Sequence, residues 1–190
     1  MLNKVLNTYL YGSYVYGTND KYSDIDYIYV VEKQSEKEKQ IFSNSMNITY
    51  YPLDYFKSMV EKHKVSALEC AFLPEKFKIE LCPVDFNLNF SLLRRSFSEK
   101  ASNSWVKAGK KIDLHGEYRI GKKSLFHSLR ILNFGIQIAK NEFVDFTLAS
   151  EYWFEIMKQD YKEWKDFKKY WKPEYNRLKS EFKIVAPLED

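Results

Sequence analysis

Along the first half of the chain, apolar and polar positions alternate with a period of two, the signature of half-buried strands. Residues 7–11 read as a first strand and residues 24–31 as a second, separated by a polar, turn-like loop over 18–22 that contains Asn19-Asp20. Residues 46–51, MNITYY, alternate again and are partly β-branched or aromatic, which predicts a third strand ended by Pro52. Leu53, Phe56, Met59 and Val60 then fall at helical spacing, predicting a helix over 53–62 that covers one sheet face, with His63 as its C-terminal cap. Residues 65–74 are apolar apart from Ser66 and Glu69. The short apolar run 81–86, broken by Pro83, predicts an edge strand. The highly charged residues 32–39 predict a solvated excursion.

From about residue 89 the period changes to that of helices, placing a soft boundary at 88–96 and a division into residues 1–92 and 93–190. No linker rich in Gly, Ser or Pro separates the parts, so the helical part is expected to pack on the first. The strongest helix covers 121–140, where Leu125, Leu129, Leu132 and Ile136 share one stripe facing a core. Lys123, His127 and Arg130 lie at i, i+4 and i+7 on another stripe. Such a stripe is either a solvated basic face or a grip on a triphosphate or an RNA backbone. In the tail, Trp164, Phe167 and Trp171 at i, i+3 and i+7 predict a core stripe. Lysines 162, 165, 168, 169 and 172 interleave with it, a pattern that also suits RNA stacking.

The 190 residues suit one compact domain or two small ones, and 45% hydrophobic with 17% aromatic residues excludes a disordered chain. A net charge of +4 fits an anionic partner without requiring one. Cys70 and Cys82 lack zinc-site spacing and read as reduced thiols in a core. No leader pattern and no run near the ~20 apolar residues of a membrane span is present, so the expectation is a cytoplasmic protein without a membrane partner.

The candidate chemistry gathers in YLYGSYVYGTNDKYSDIDYIYVV, residues 9–31. In a strand, Asp24 and Asp26 project to one side about 7 Å apart along the backbone, while Ile25, Tyr27 and Tyr29 take the other face. Paired carboxylates repel unless a cation lies between them, and a hard ion such as Mg²⁺ prefers carboxylate and phosphate oxygens. Gly12-Ser13, following an apolar run, can open a helix whose backbone N–H groups and hydroxyl suit a phosphate.

The register Gly12-Ser13, Tyr16-Gly17-Thr18, Ser23-Asp24-x-Asp26 resembles the nucleotidyltransferase superfamily of DNA polymerase β, and within it a branch of small bacterial and phage members. The resemblance implies an α/β (α+β) fold: a small mixed β-sheet core with flanking helices, followed by the helical part. It implies transfer of a nucleoside monophosphate from a nucleoside triphosphate to a hydroxyl, with Asp24 and Asp26 catalytic and holding two Mg²⁺ ions. Gly12 and Ser13 would bind the phosphates. KSLFHSLRIL resembles a K-x-x-x-H-x-x-R helix of that branch, which implies nucleotide contacts from Lys123, His127 and Arg130. RNA, tRNA included, is the favoured acceptor.

One position departs from the family pattern. A third acid is expected where Asn47 stands, and the lost ligand charge should weaken the catalytic ion by several kcal/mol at an effective dielectric of about 20. Asp54, Glu69 or Asp85 could fill in, and ALECAFLP matches a segment of the branch that carries an acid at Glu69. The alternative is a catalytically impaired nucleotide- or RNA-binding regulatory module of the antitoxin kind.

Overall fold

The computed structural model describes residues 4–33 and 36–188, so residues 34 and 35 of the charged stretch lie outside it. The chain divides into two compact units, Met1–Asn87 and Leu88–Asp190. Strands β1 (Val5–Tyr11), β2 (Ile25–Val31), β3 (Lys39–Ser43), β4 (Met46–Pro52) and β5 (Lys78–Glu80) form the sheet of the first unit. They are hydrogen-bonded in the order β3-β4-β2-β1-β5. β2 and β4 run parallel and the other neighbours antiparallel. The helices of this unit are α1 (Ser13–Tyr16), α2 (Leu53–Glu61) and α3 (Val65–Ala71).

The alternation explains the layers. Tyr9, Ile28 and Thr49 share one cross-strand row, and Val30 and Tyr51 belong to the next row on the same face. All five are buried, and the Tyr9 ring stacks on Phe56 of α2 at 5.6 Å. The opposite face carries the tyrosines, with Tyr29 6.0 Å from Tyr27 and 5.4 Å from Tyr50. The C-cap of α2 is Lys62 rather than His63; His63 follows it in a left-handed conformation (φ 51°) and donates its N–H to the Val60 carbonyl.

Two elements differ from the sequence reading. β3 follows the charged stretch as an edge strand, exposed at all five residues, and turns into β4 through Asn44 and Ser45, both at positive φ (44° and 63°). Positive φ at both central residues is the geometry of a two-residue hairpin. The second difference is at 81–86, which is not a strand; the edge strand on that side is β5, just before it. There Asn7 replaces the ladder with its side chain. Its Nδ2 donates to the Cys82 carbonyl at 2.8 Å, and the Cys82 N–H donates to Oδ1 at 2.9 Å. Pro83 then has no N–H with which to continue pairing.

The second unit comprises α4 (Phe90–Asp113), α5 (Tyr118–Asn141), α6 (Ala149–Lys158) and α7 (Trp164–Val185). Leu125, Leu129, Leu132 and Ile136 are buried, together with Leu93, Phe97 and Ile112 of α4. Phe167 and Trp171 are buried, and Trp105 stacks on Tyr175 at 4.3 Å and meets Trp164 edge-on at 5.0 Å. The stripe of Phe167 and Trp171 is therefore core and Trp164 is half-buried, while Phe154 and Tyr170 are exposed. Among the described residues no helix is long and apolar enough to cross a membrane. The fold is mixed α+β with a helical C-terminal part.

Candidate active site

β1 ends at Tyr11, and Gly12 follows with φ 74° and ψ −143°, a region almost restricted to glycine. The Gly12 carbonyl accepts from the N–H groups of Val15 (3.0 Å) and Tyr16 (3.2 Å), which winds the single turn α1. Gly17, at φ 67°, closes that turn, and the Thr18 N–H donates to the Ser13 carbonyl at 2.9 Å. Asp26 pairs with Tyr11 across the sheet and with Asn47 on its other side. Its Oδ2 lies 2.5 Å from the point a Cβ on Gly12 would occupy, so the carboxylate packs directly on the turn. Its Oδ1 accepts a hydrogen bond from Asn47 Nδ2 at 2.9 Å.

Asp24 sits one residue ahead of β2 and is exposed, whereas the alternation places it inside the strand. Pairing starts at Ile25, whose N–H donates to the Ser45 carbonyl at 2.9 Å. The loop before Asp24 is fixed by Asp20. Its Oδ1 accepts from the Tyr22 N–H (3.0 Å) and the Ser23 hydroxyl (3.2 Å), and Ser23 Oγ accepts the Asp20 N–H (2.9 Å).

The candidates for a third acid are dispersed. Asp54 is exposed in the first turn of α2, where a carboxylate complements the helix dipole. Asp85 is exposed in the irregular segment after β5. Glu69 is 1% exposed and accepts the Tyr16 hydroxyl at 2.7 Å. It therefore holds α1, and with it the Gly12-Ser13 turn, from beneath. The sequence reading brings Glu69 near the site but misses Tyr16 as its partner.

Asn47, at the position of the expected acid, has its Oδ1 buried with no hydrogen-bond partner. A buried acceptor left alone costs about 1–3 kcal/mol. Among the described residues no group of three or more His, Cys, Asp or Glu is placed to hold an ion. The hard oxygens of Asp26 and Asn47, with the Asp24 carboxylate and the Ser13 hydroxyl, fit a Mg²⁺ ion by donor chemistry.

Lys123, His127 and Arg130 belong to the second unit, on α5. Lys123 is exposed, His127 half-buried, and Arg130 only 3% exposed. Arg130 Nε donates to His127 Nδ1 at 3.3 Å, and its guanidinium carbon stands 5.0 Å over the Phe134 ring. A solvated basic face is therefore not what Arg130 makes. Burial, and then the charges of Arg130, Lys123, Lys107 and Lys100, hold the His127 pKa well below its ordinary value. A neutral imidazole is what the Arg130 hydrogen bond to Nδ1 requires.

A mixed sheet whose central strand sets a carboxylate against a glycine-serine turn defines a protein of the nucleotidyl-transfer class. The chain belongs to the nucleotidyltransferase domain family, whose model matches residues 2–125. The match takes in the sheet, the turn and Lys123, and ends before His127 and Arg130. The general activity of the family is transfer of a nucleoside monophosphate, and the family generally uses a divalent metal. No curated protein matches the chain.

Proposed function

We propose that this protein is a Mg²⁺-dependent nucleotidyltransferase that moves a nucleoside monophosphate from a nucleoside triphosphate to a hydroxyl of RNA, tRNA being one such acceptor. The observation that carries the reading is the Asp26 carboxylate packed on Gly12, which brings an acid and the Gly12-Ser13 turn to one corner of the sheet. Gly12 leaves room for that approach, and Ser13 offers a hydroxyl to a phosphate oxygen. Asn47 fixes one oxygen of Asp26, so the carboxylate does not rotate freely. Asp24 and Asp26 would hold the Mg²⁺, two ions by the family resemblance, with Asn47 Oδ1 as an uncharged third oxygen. When bound, the metal neutralises charge on the reacting and leaving phosphate oxygens. In the reaction the acceptor oxygen bonds to the α-phosphorus as the bond to pyrophosphate breaks. Lys123 and Arg130 are the cations suited to phosphate oxygens, with the neutral His127 and Phe134 pre-orienting Arg130.

A second reading rests on the Asn47–Asp26 hydrogen bond. An amide cannot take a proton from the acceptor hydroxyl, and its N–H already satisfies Asp26 without a metal. On that reading the protein binds nucleotide or RNA as a regulatory module and transfers slowly or not at all. Incubation with each α-³²P-labelled triphosphate, Mg²⁺ and RNA decides between them. The first reading expects label on RNA, abolished by Asp24→Asn with Asp26→Asn. Tight Mg²⁺-dependent triphosphate binding in a calorimeter without any label transfer selects the second.

A further inference from the structure

Helix α7 lies entirely beyond the residues that the family model matches. At about 100° per residue its side chains sort into three arcs. Phe167, Trp171, Tyr175, Leu178 and Phe182 occupy one and are buried. Asp166, Glu174, Arg177 and Glu181 occupy the second. There Arg177 bonds Glu174 (2.7 Å) and Glu181 (2.8 Å), Tyr152 bonds Glu174, and Lys140 bonds Glu181. The third arc, about 100° wide, contains Lys165, Lys168, Lys169, Lys172, Lys179 and Lys183 with Asn176, and no acid.

Within that arc, Lys165 and Lys169, and Lys168 and Lys172, are like-charge pairs at i,i+4, a spacing that destabilises a helix. Glu174 and Glu181 on the same helix are committed to Arg177, Tyr152 and Lys140. Among the described residues Lys165 alone of the six makes an ion pair, with Glu163 at 2.6 Å, and Lys179 lies over the Tyr175 ring at 5.5 Å. An open groove of about 430 Å³ runs along the first four lysines, Pro173 and Asn176. The six lysines span about 27 Å of helix, so an extended polyanion satisfies the stripe where a single phosphate group does not.

The geometry points to the lysine arc of α7 as a docking surface for the phosphate backbone of RNA. This assignment rests on the proposed RNA acceptor and names the surface that holds it. With Phe167 and Trp171 buried, and the exposed Tyr170 on the second arc bonded to Glu155, the lysine arc itself carries no aromatic ring, so the surface grips phosphates without stacking bases and is indifferent to sequence. Five lysines, leaving Lys165 with Glu163, would displace counterions with a log–log salt slope near −3.5 for a single strand. Affinity then falls about 100-fold between 50 and 200 mM salt.

The test is fluorescence anisotropy of a labelled 20-nucleotide single-stranded RNA with the full chain, without triphosphate or divalent ion, across that salt range. The expected result is the steep slope, with mixed-sequence and uridine-only RNA bound within about threefold of each other. The variant K168Q/K169Q/K172Q should lower the slope by about 2 and the affinity at 100 mM salt by more than 10-fold. Its melting temperature should be unchanged or higher, because like-charge pairs are removed. K62Q/K64Q, in the first unit, should bind as wild type. Absence of RNA binding, a slope unmoved by the α7 variant, or tighter binding to phosphatidylserine vesicles or to DNA of the same sequence overturns the assignment. Transfer to a dinucleotide acceptor, measured separately, reports on the enzyme reading. Loss of transfer with RNA binding intact refutes that reading alone, and loss of RNA binding with transfer intact refutes this one alone.

Discussion

Gly12→Ala should be far more costly than an ordinary glycine substitution, because it acts on the backbone and on Asp26 together. Gly12 lies at φ 74° and ψ −143°, and holding a non-glycine residue there costs about 1–3 kcal/mol. The added methyl would stand 2.5 Å from Asp26 Oδ2 and 3.3 Å from its carboxyl carbon. The carboxylate must swing away, which breaks its hydrogen bond from Asn47. A hydrogen bond to a charged group is worth about 1.5–3 kcal/mol, so the total loss is about 2.5–6 kcal/mol. Gly17 is the internal control. It also has positive φ, at 67°, but a methyl there meets nothing within 4 Å, so Gly17→Ala should cost only about 1–2 kcal/mol. Urea unfolding of both variants measures these differences. In an Asp26→Ala background the clash disappears, and the penalty for Gly12→Ala should shrink by about 1.5–3 kcal/mol. Calorimetry should show Gly12→Ala losing triphosphate affinity while Gly17→Ala keeps it. Equal costs for the two glycines, or a Gly12 penalty unchanged by removing Asp26, would refute the packing of the acid on the turn.

Tyr16→Phe should lower unfolding stability by about 1.5–3 kcal/mol, because it takes a hydrogen bond from buried Glu69; combined with Glu69→Gln the loss should be clearly sub-additive, and simple additivity would show that the two do not interact. Asn47→Asp sets a second carboxylate where the amide stands 2.9 Å from Asp26 Oδ1, a repulsion of about 4–6 kcal/mol at a dielectric of 20; thermal melts should show this variant destabilised without Mg²⁺ and rescued by it more than wild type, and a Mg²⁺ response no larger than wild type would deny an ion site there. Because the folded chain holds the His127 pKa well below 6.5, the unfolded chain binds a proton first as pH falls, so stability is full above about pH 6.5 and declines below it. Burial shifts His63 the same way, so His127→Gln should flatten, without abolishing, the acid-side loss between about pH 6.5 and 5; an unchanged slope would contradict the half-buried imidazole held neutral among cations.

The parts of the fold visible in the sequence are those governed by local periodicity. MNITYY ends at Pro52 because proline closes the strand and opens α2, and Leu125, Leu129, Leu132 and Ile136 face a core as their spacing requires. The Gly12-Ser13 and Asp24-x-Asp26 register placed the turn and the acid in one corner, since strand pairing of residues 11 and 26 brings them together. Strand β3 leaves no pattern in the sequence because all five residues are exposed and its hairpin uses Asn44-Ser45 with no glycine to mark the turn. The edge strand shifted from 81–86 to Lys78–Glu80 because a side chain 75 residues away, Asn7, took over the backbone bonds of Cys82. The Tyr16–Glu69 bond joins residues 53 apart, and no local pattern announces it. The stripe of Lys123, His127 and Arg130 leaves a solvated face and a phosphate grip both open; Arg130 is in fact buried, bonded to His127 and lying over Phe134 of its own helix, and the depth of that burial is not written in the spacing.

The central claim is that Asp24, Asp26 and the Gly12-Ser13 turn together seat a metal-bound triphosphate. A crystal structure of the protein with Mn²⁺ and a non-hydrolysable triphosphate analogue tests it most directly, because manganese is located by its anomalous signal. The account predicts that signal within bonding distance of the Asp24 and Asp26 carboxylates, with phosphate oxygens on Ser13 and the backbone of its turn. Triphosphate bound elsewhere, with Asp26 held only by Asn47 and no metal beside it, would contradict it.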